Sequence, residues 1–131
     1  MDVRDAVEAD AGRLAALTDA PADVMRNLIH DRTVRVAERD EEIAGFVSYD
    51  ARKRTVHVTQ MEGEPTALEQ LLEEPVGFAR TEEMAVELLA PDDEPKLRDV
   101  ALAAGFEDVG RGPRFAGQST VRLRMSIPET T

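Results

Sequence analysis

The chain has no cysteine, only two histidines, one tyrosine and two lysines, and no apolar run longer than a few residues. Each shortage excludes something. Without cysteine there is no disulfide, no thiolate nucleophile and no cysteine-based zinc site. His30 and His57 lie far apart with no ligand-like spacing, so no metal site is expected. No stretch is long and apolar enough to span a bilayer, so a membrane is not an expected partner. Met1-Asp2-Val3-Arg4-Asp5 lacks the apolar segment of a signal peptide, which makes cytoplasmic residence the expectation. There is no internal repeat and no long Gly/Ser- or Pro-rich linker.

What is abundant is negative charge. Asp and Glu number 27 against 16 Lys and Arg, a net charge of −11, and all the basic residues but Lys53 and Lys96 are arginine. Phosphates need a basic face, so nucleic acid is excluded as a partner. Arg52-Lys53-Arg54 reads as a solvated turn rather than a binding patch. A strongly acidic surface stays hydrated in concentrated salt, where the Debye length falls to about 3 Å at ~1 M. The composition resembles that of proteins from salt-accumulating archaea; an acidic protein from a GC-rich bacterium is the alternative. With 131 residues and 42% hydrophobic content, one domain with one modest core is expected over residues 1–128, with a tail at 129–131.

Periodicity gives the elements. Val3 to Val7 reads as a short strand, and Ala11, Leu14, Ala15 and Leu17 put a helix over 9–18. Pro21 suits the first turn of a second helix, striped by Val24, Met25, Leu28 and Ile29. Three strands follow on tight turns, over 33–37, 43–49 and 55–59, as an antiparallel meander. Val56 and Val58 face one side of the third, with His57 and Thr59 opposite. Thr66-Ala67-Leu68-Glu69 has the pattern of a capping box; the helix it opens is expected to run to about Glu74, where Pro75 interrupts it, with room for a further helical piece through Arg80. Met84 to Ala90 reads as a buried strand. Pro91-Asp92-Asp93-Glu94-Pro95 then signals a helix entry capped by an aspartate, and Gly105 suits the left-handed residue that ends that helix. Two last strands, 106–110 and 120–127, are joined by the loop 111–119.

The resulting order, β-α-α-β-β-β-α-β-α-β-β, resembles that of the GNAT N-acetyltransferase superfamily over nearly the whole chain. The resemblance implies an α/β (α+β) single domain, with a central, mixed, mostly antiparallel sheet flanked by about four helices. In that family a strand leads into a loop patterned Gln/Arg-x-x-Gly-x-Gly/Ala, whose N–H groups, with those of the next helix, cradle the pyrophosphate of acetyl-CoA. Gln60-Met61-Glu62-Gly63-Glu64-Pro65 matches at Gln60 and Gly63 and departs at Pro65, which has no N–H to give. A second register, aligned on Leu71-Leu72, puts the anchors at Gly63, Thr66 and Leu68 and matches nothing. By this resemblance the cofactor-binding candidates are Gln60, Gly63, Thr66 and Ala67. Thr66 and Glu69 would occupy donors that a phosphate wants, and Glu62 and Glu64 add like charge. At ~5 Å each repels a phosphate charge by about 1 kcal/mol in water and several at an effective dielectric near 20. The same segment reads equally as a plain loop-to-helix turn.

Many family members carry a tyrosine four residues before the Gly-Phe that closes the last helix, as the acid that protonates the leaving thiolate. That position here is Ala101. The catalytic candidates are His57, whose imidazole titrates near neutrality, then Glu62, then Tyr49, the only phenol. Each has a plainer reading: a solvent-facing strand histidine, one carboxylate among many, a packed aromatic. Arg111 and Arg114 read as anion holders or as surface charges. The function expected from the resemblance is transfer of acetyl from acetyl-CoA to an amine, on a small molecule, a protein N-terminus or a lysine. The alternative is a catalytically inactive GNAT-like module with a degraded cofactor loop that binds a ligand or a protein. An ordinary small α/β domain of the same order would lack the splayed central strands. Pairing of strand edges would make a homodimer.

Overall fold

The computed structural model describes residues 1–114 and 117–127; the expected tail at 129–131 and part of the loop 111–119 lie outside them. Seven strands form one sheet: β1 (Asp2–Asp5), β2 (Thr33–Arg39), β3 (Glu42–Arg52), β4 (Thr55–Gly63), β5 (Ala85–Pro91), β6 (Glu107–Arg111) and β7 (Thr120–Met125). Their spatial order is β1-β2-β3-β4-β5-β7-β6. Among the described residues only β4 and β5 pair in parallel; the other pairs are antiparallel. Four helices flank the sheet, α1 (Ala11–Thr18), α2 (Ala22–Asp31), α3 (Pro65–Glu82) and α4 (Pro95–Ala103), with one 3₁₀ turn at Glu8–Asp10. Among the described residues no helix is long and apolar enough to cross a membrane.

The alternation of strand side chains builds two cores. On one face Val47, Tyr49, Val56, Val58, Val86, Leu88 and Leu123 meet the apolar stripes of α3 and α4. On the other, Val34, Val36, Ile43 and Phe46 meet Leu14 of α1 and Met25 of α2. Phe46, Leu14 and Met25 are completely enclosed, and burying a side chain of this size is worth about 1.5–3 kcal/mol.

The β2–β3 and β3–β4 turns are tighter than the sequence suggests. Asp40-Glu41 and Lys53-Arg54 alone make them, all four at positive φ. Two-residue turns of that hand match the strand twist, and the sheet imposes them although no glycine is present to ease them.

Three expectations at helix ends are corrected. Helix α3 opens at Pro65 with Glu64 as N-cap, so Thr66 sits inside the first turn and no capping box forms. Helix α4 likewise opens at Pro95 after Glu94, with no aspartate cap. In both, proline's fixed φ is already helical and its missing N–H is one the first turn leaves unpaired anyway, so the helix begins there. Pro75 does not interrupt α3, which runs on to Glu82. An internal proline costs about 3 kcal/mol. Burial of Pro75, Val76 and Ala79 on the sheet offsets this, because each of those side chains leaves water on docking.

Two irregularities position the site. A register shift in β4 pairs Ser48 with Gln60 and Tyr49 with Val58, leaving Thr59 as an unpaired bulge. Beyond it β4 and β5 part. Their pairing covers only Thr55–Val58 and Ala85–Leu88, while β4 continues along β3 to Gly63 and β5 continues along β7 to Pro91.

Candidate active site

The parted ends of β4 and β5 leave a gap whose walls differ. With Val58 and Met61 turned into the α3 core, the alternation and the bulge put His57, Thr59, Gln60 and Glu62 on the opposite face. Three of the sequence candidates, His57, Gln60 and Glu62, thus share one face of one strand. Tyr49 does not join them. It lies in the α3 core, its ring 6.2 Å from that of Phe78, its hydroxyl beside Arg35 and pushed above its ordinary value chiefly by burial.

Glu62 lies beyond the point where the strands part, half-buried. Loss of solvent raises its carboxyl from 4.5 to about 7; Glu94 adds to the rise and Lys96 opposes it. Both neighbours belong to the entry of α4, across the gap. A carboxyl that titrates near neutrality suits proton transfer at physiological pH. His57 lies lower, where β4 and β5 are still paired, level with Glu87. Burial lowers its imidazole; Glu87 pulls the other way, and Arg52, Arg124 and Arg122 push further down. Burial thus disfavours its charged form.

At the top of β4, Gly63 is committed to β3. A Cβ there would lie 2.6 Å from the Ala44 carbonyl oxygen, at φ +143, and one on Gly45 would lie 2.7 Å from the Glu62 carbonyl. The two glycines let the strands and the first turn of α3 close together, with Ala67 buried on top. No side chain caps α3. The Thr66 hydroxyl instead donates to Glu64 Oε1 at 3.1 Å and accepts from Arg39 Nη2 at 3.3 Å, and Arg39 pairs with the Glu64 carboxylate. In front lies a groove of about 390 Å³, lined among others by Arg13, Arg39, Lys96, Glu42 and Glu64. Three cations against two carboxylates make it locally basic in an acidic chain. Of the four cofactor candidates, Gly63 borders this groove, Thr66 and Ala67 stand in the first turn behind it, and Gln60 is lower, at the bulge. Neither arginine of the final loop is free of its surroundings: Arg111 pairs with Asp92 at 2.8 Å, and Arg114 donates to the Gly117 carbonyl. Ala101, on the inner face of α4, is fully buried.

Several members of this arrangement are invisible to a reading along the chain. Arg39, Glu94 and Lys96 reach the site only through the sheet order. Ser48 is fully buried and its hydroxyl lies 2.6 Å from that of Thr59; a bulge, the signal for this pair, needs the β3–β4 register to be seen.

No protein-family model matches the chain, and no curated protein is significantly similar to it. Solved structures are. The ribosomal-protein-alanine N-acetyltransferase of Brucella melitensis superposes with a TM-score of 0.78 at 18% identity, over 97% of this chain and 100% of that one. A GNAT superfamily phosphinothricin acetyltransferase of Sinorhizobium meliloti, in complex with acetyl-CoA, gives 0.77 at 17% identity, over 99% and 90%. TTHA1254 of Thermus thermophilus gives 0.72 at 30% identity, over 88% and 93%. With the mixed seven-stranded sheet, its single parallel pair and the parting of that pair at Val58 and Leu88, the chain has the fold of the GNAT N-acetyltransferases.

Proposed function

We propose that the chain is an acetyl-CoA-dependent N-acetyltransferase in which the gap between β4 and β5 receives the thioester arm and Glu62 is the base. The observation that carries this is the position of Glu62: past the last β4–β5 pair, with a carboxyl raised to about 7. The groove before α3 fits a phosphate-bearing group through Arg13, Arg39 and Lys96 and through the uncapped N–H groups of Thr66 and Ala67. Pro65 contributes none, and Arg39 must turn from Glu64 to the ligand. Acetyl-CoA supplies the activated acetyl group. Glu62 takes the proton of the incoming ammonium, directly or through one water, and so frees the lone pair that attacks. His57, deeper on the same face, shapes the floor. The thiolate that leaves takes its proton from water or from the Glu62 carboxyl, since Ala101 has none to give.

Calorimetry with acetyl-CoA tests the reading. Ligand at 100 times its dissociation constant stabilises the fold by about 2.7 kcal/mol. Saturable micromolar binding with thiol release in the presence of amines supports it, and no binding at millimolar acetyl-CoA sinks it. Ala101 and the Glu64–Arg39 pair favour one other reading, a module that binds without turnover; saturable binding with no transfer to any amine would establish that.

A further inference from the structure

The bulge in β4 brings two hydroxyls together at the point where β4 and β5 part. Thr59 and Gln60 both stand opposite Ser48 of β3, and Thr59 is the first residue past the last β4–β5 pair, Val58 with Leu88. Val47 and Tyr49 turn into the α3 core, so alternation puts Ser48 on the other face, that of Glu62. There the two hydroxyl oxygens lie 2.6 Å apart, with Ser48 fully buried and Thr59 exposed.

Burial decides which of the two donates. Among the described residues neither hydroxyl has another partner. Were Thr59 the donor, the Ser48 proton would be left inside the sheet without an acceptor, a loss that buried polar groups avoid. Ser48 therefore donates and the Thr59 oxygen accepts. The Thr59 proton is then free to point to the side away from β3. On that side β5 has parted, and Leu89, the next residue along it, offers no side-chain acceptor. The result is a hydroxyl donor fixed from behind and turned toward the gap.

The span to Glu62 fits the reaction. Three residues of strand rise, about 10 Å, separate Thr59 from Glu62. Two hydrogen bonds of about 2.8 Å with an O–C–N unit between them cover about 8 Å, and the length of the glutamate side chain takes up the rest.

We propose that the Thr59 hydroxyl, oriented by Ser48, holds the thioester oxygen of acetyl-CoA while that oxygen carries negative charge. This rests on the acetyltransferase reading. The amine nitrogen bonds to the thioester carbon, and the C=O electron pair moves onto the oxygen, where the Thr59 proton meets it without being transferred. When the C=O re-forms, the C–S bond breaks and sulfur keeps its electron pair. The surplus proton on nitrogen passes to that sulfur through water. Thr59 touches the reacting oxygen; Ser48 is a positioning residue.

Thr59→Val keeps the shape of the side chain and removes the hydroxyl. It should lower kcat by about 10²-fold, as loss of one oxyanion donor does. Acetyl-CoA affinity and the KM of the amine should be unchanged, and the rise in rate near pH 7 assigned to Glu62 should remain. Thr59→Ser should restore most of the rate. Ser48→Ala should lower kcat by less, again at unchanged KM, because the Thr59 hydroxyl stays while its orientation is lost. The absence of cysteine makes the assay clean, since a thiol reagent then reports only released CoA. An undiminished kcat in Thr59→Val or Ser48→Ala, a loss that falls on KM or on acetyl-CoA affinity instead, or one that serine does not restore overturns this inference and leaves the acetyltransferase reading standing. Failure of the unaltered protein to bind acetyl-CoA or to transfer its acetyl group overturns both. Thr59→Ala repeats the test should valine disturb the bulge.

Discussion

At the scale of single residues, Glu62 makes two independent statements testable. Its carboxyl titrates at about 7 in the fold against an ordinary 4.5. Between those values the folded state keeps a proton that the unfolded chain gives up, so this group's contribution to stability falls as pH rises from 4.5 through 7. Glu62→Gln should therefore raise the melting temperature at pH 8, with the difference vanishing near pH 4; an unchanged melting temperature at pH 8 would contradict the burial. In turnover the same substitution should lower kcat by about 10²-fold or more and remove the limb that rises near pH 7. His57→Gln should keep that limb. If the limb follows His57 instead, the roles assigned here are exchanged. Asp10 gives the opposite sign. Its carboxylate holds Arg4 by two hydrogen bonds, at 2.8 and 3.1 Å, and lies below the usual carboxylate range, first because of Arg4. That stability is present above the unfolded pKa and is lost as pH falls through the folded one. Asp10→Asn should cost about 1 kcal/mol at pH 7, as for other partly buried charge-assisted pairs, and progressively less as acid protonates the wild-type group; an equal cost at every pH would rule out the pairing as its source.

At the scale of elements, the junction of β4 and α3 is where fold and ligand compete. Gly63 serves the β3–β4 contact, so Gly63→Ala is expected to destabilise the protein by more than 1 kcal/mol with no ligand present, through a positive φ and a 2.6 Å approach to backbone. A loss of acetyl-CoA affinity with unchanged stability would show the opposite. Glu64 stands before the first turn of α3 and engages Arg39. Glu64→Gln removes a like charge and releases Arg39, and should tighten acetyl-CoA binding by about 10-fold at low salt, the size of one screened charge interaction; weaker binding would mean that the groove is not where the phosphates go. Much of this element is legible in the sequence, for Gln60, Gly63 and the leucines of α3 announce a strand entering a helix. The helix start and its continuity through Pro75 are not legible, because proline's local cost is visible in the sequence whereas the burial that offsets it is not.

For the whole molecule, net charge acts as a distributed load. At −11 the folded chain repels itself, and salt screens this. The melting temperature is expected to rise between 0.05 and 1 M KCl, as the Debye length shrinks from over 10 Å to about 3 Å. A flat or falling response would mean that the cross-strand pairs, such as Glu87 with Arg122 and Arg124, already balance the field and that salt only weakens them.

The sequence alone determined the order of elements, the face His57 takes opposite Val56 and Val58, and the lack of a phenol at Ala101, since alternation, helical spacing and composition are local properties of the chain; the bulge at Thr59, which turns Gln60 and Glu62 to the face of His57, is not. It also singled out His57 and Glu62, both of which lie on the face that borders the gap. Only the tertiary structure separated them. It carried Glu62 past the parting of β4 and β5 and surrounded it with Glu94 and Lys96, and it left His57 on the paired floor beside Glu87. It also moved Tyr49 into the other core and brought Arg39 to α3. The physical reason is that a residue's type fixes which proton it can exchange, while burial and the charges gathered from distant strands fix the pH at which it does so.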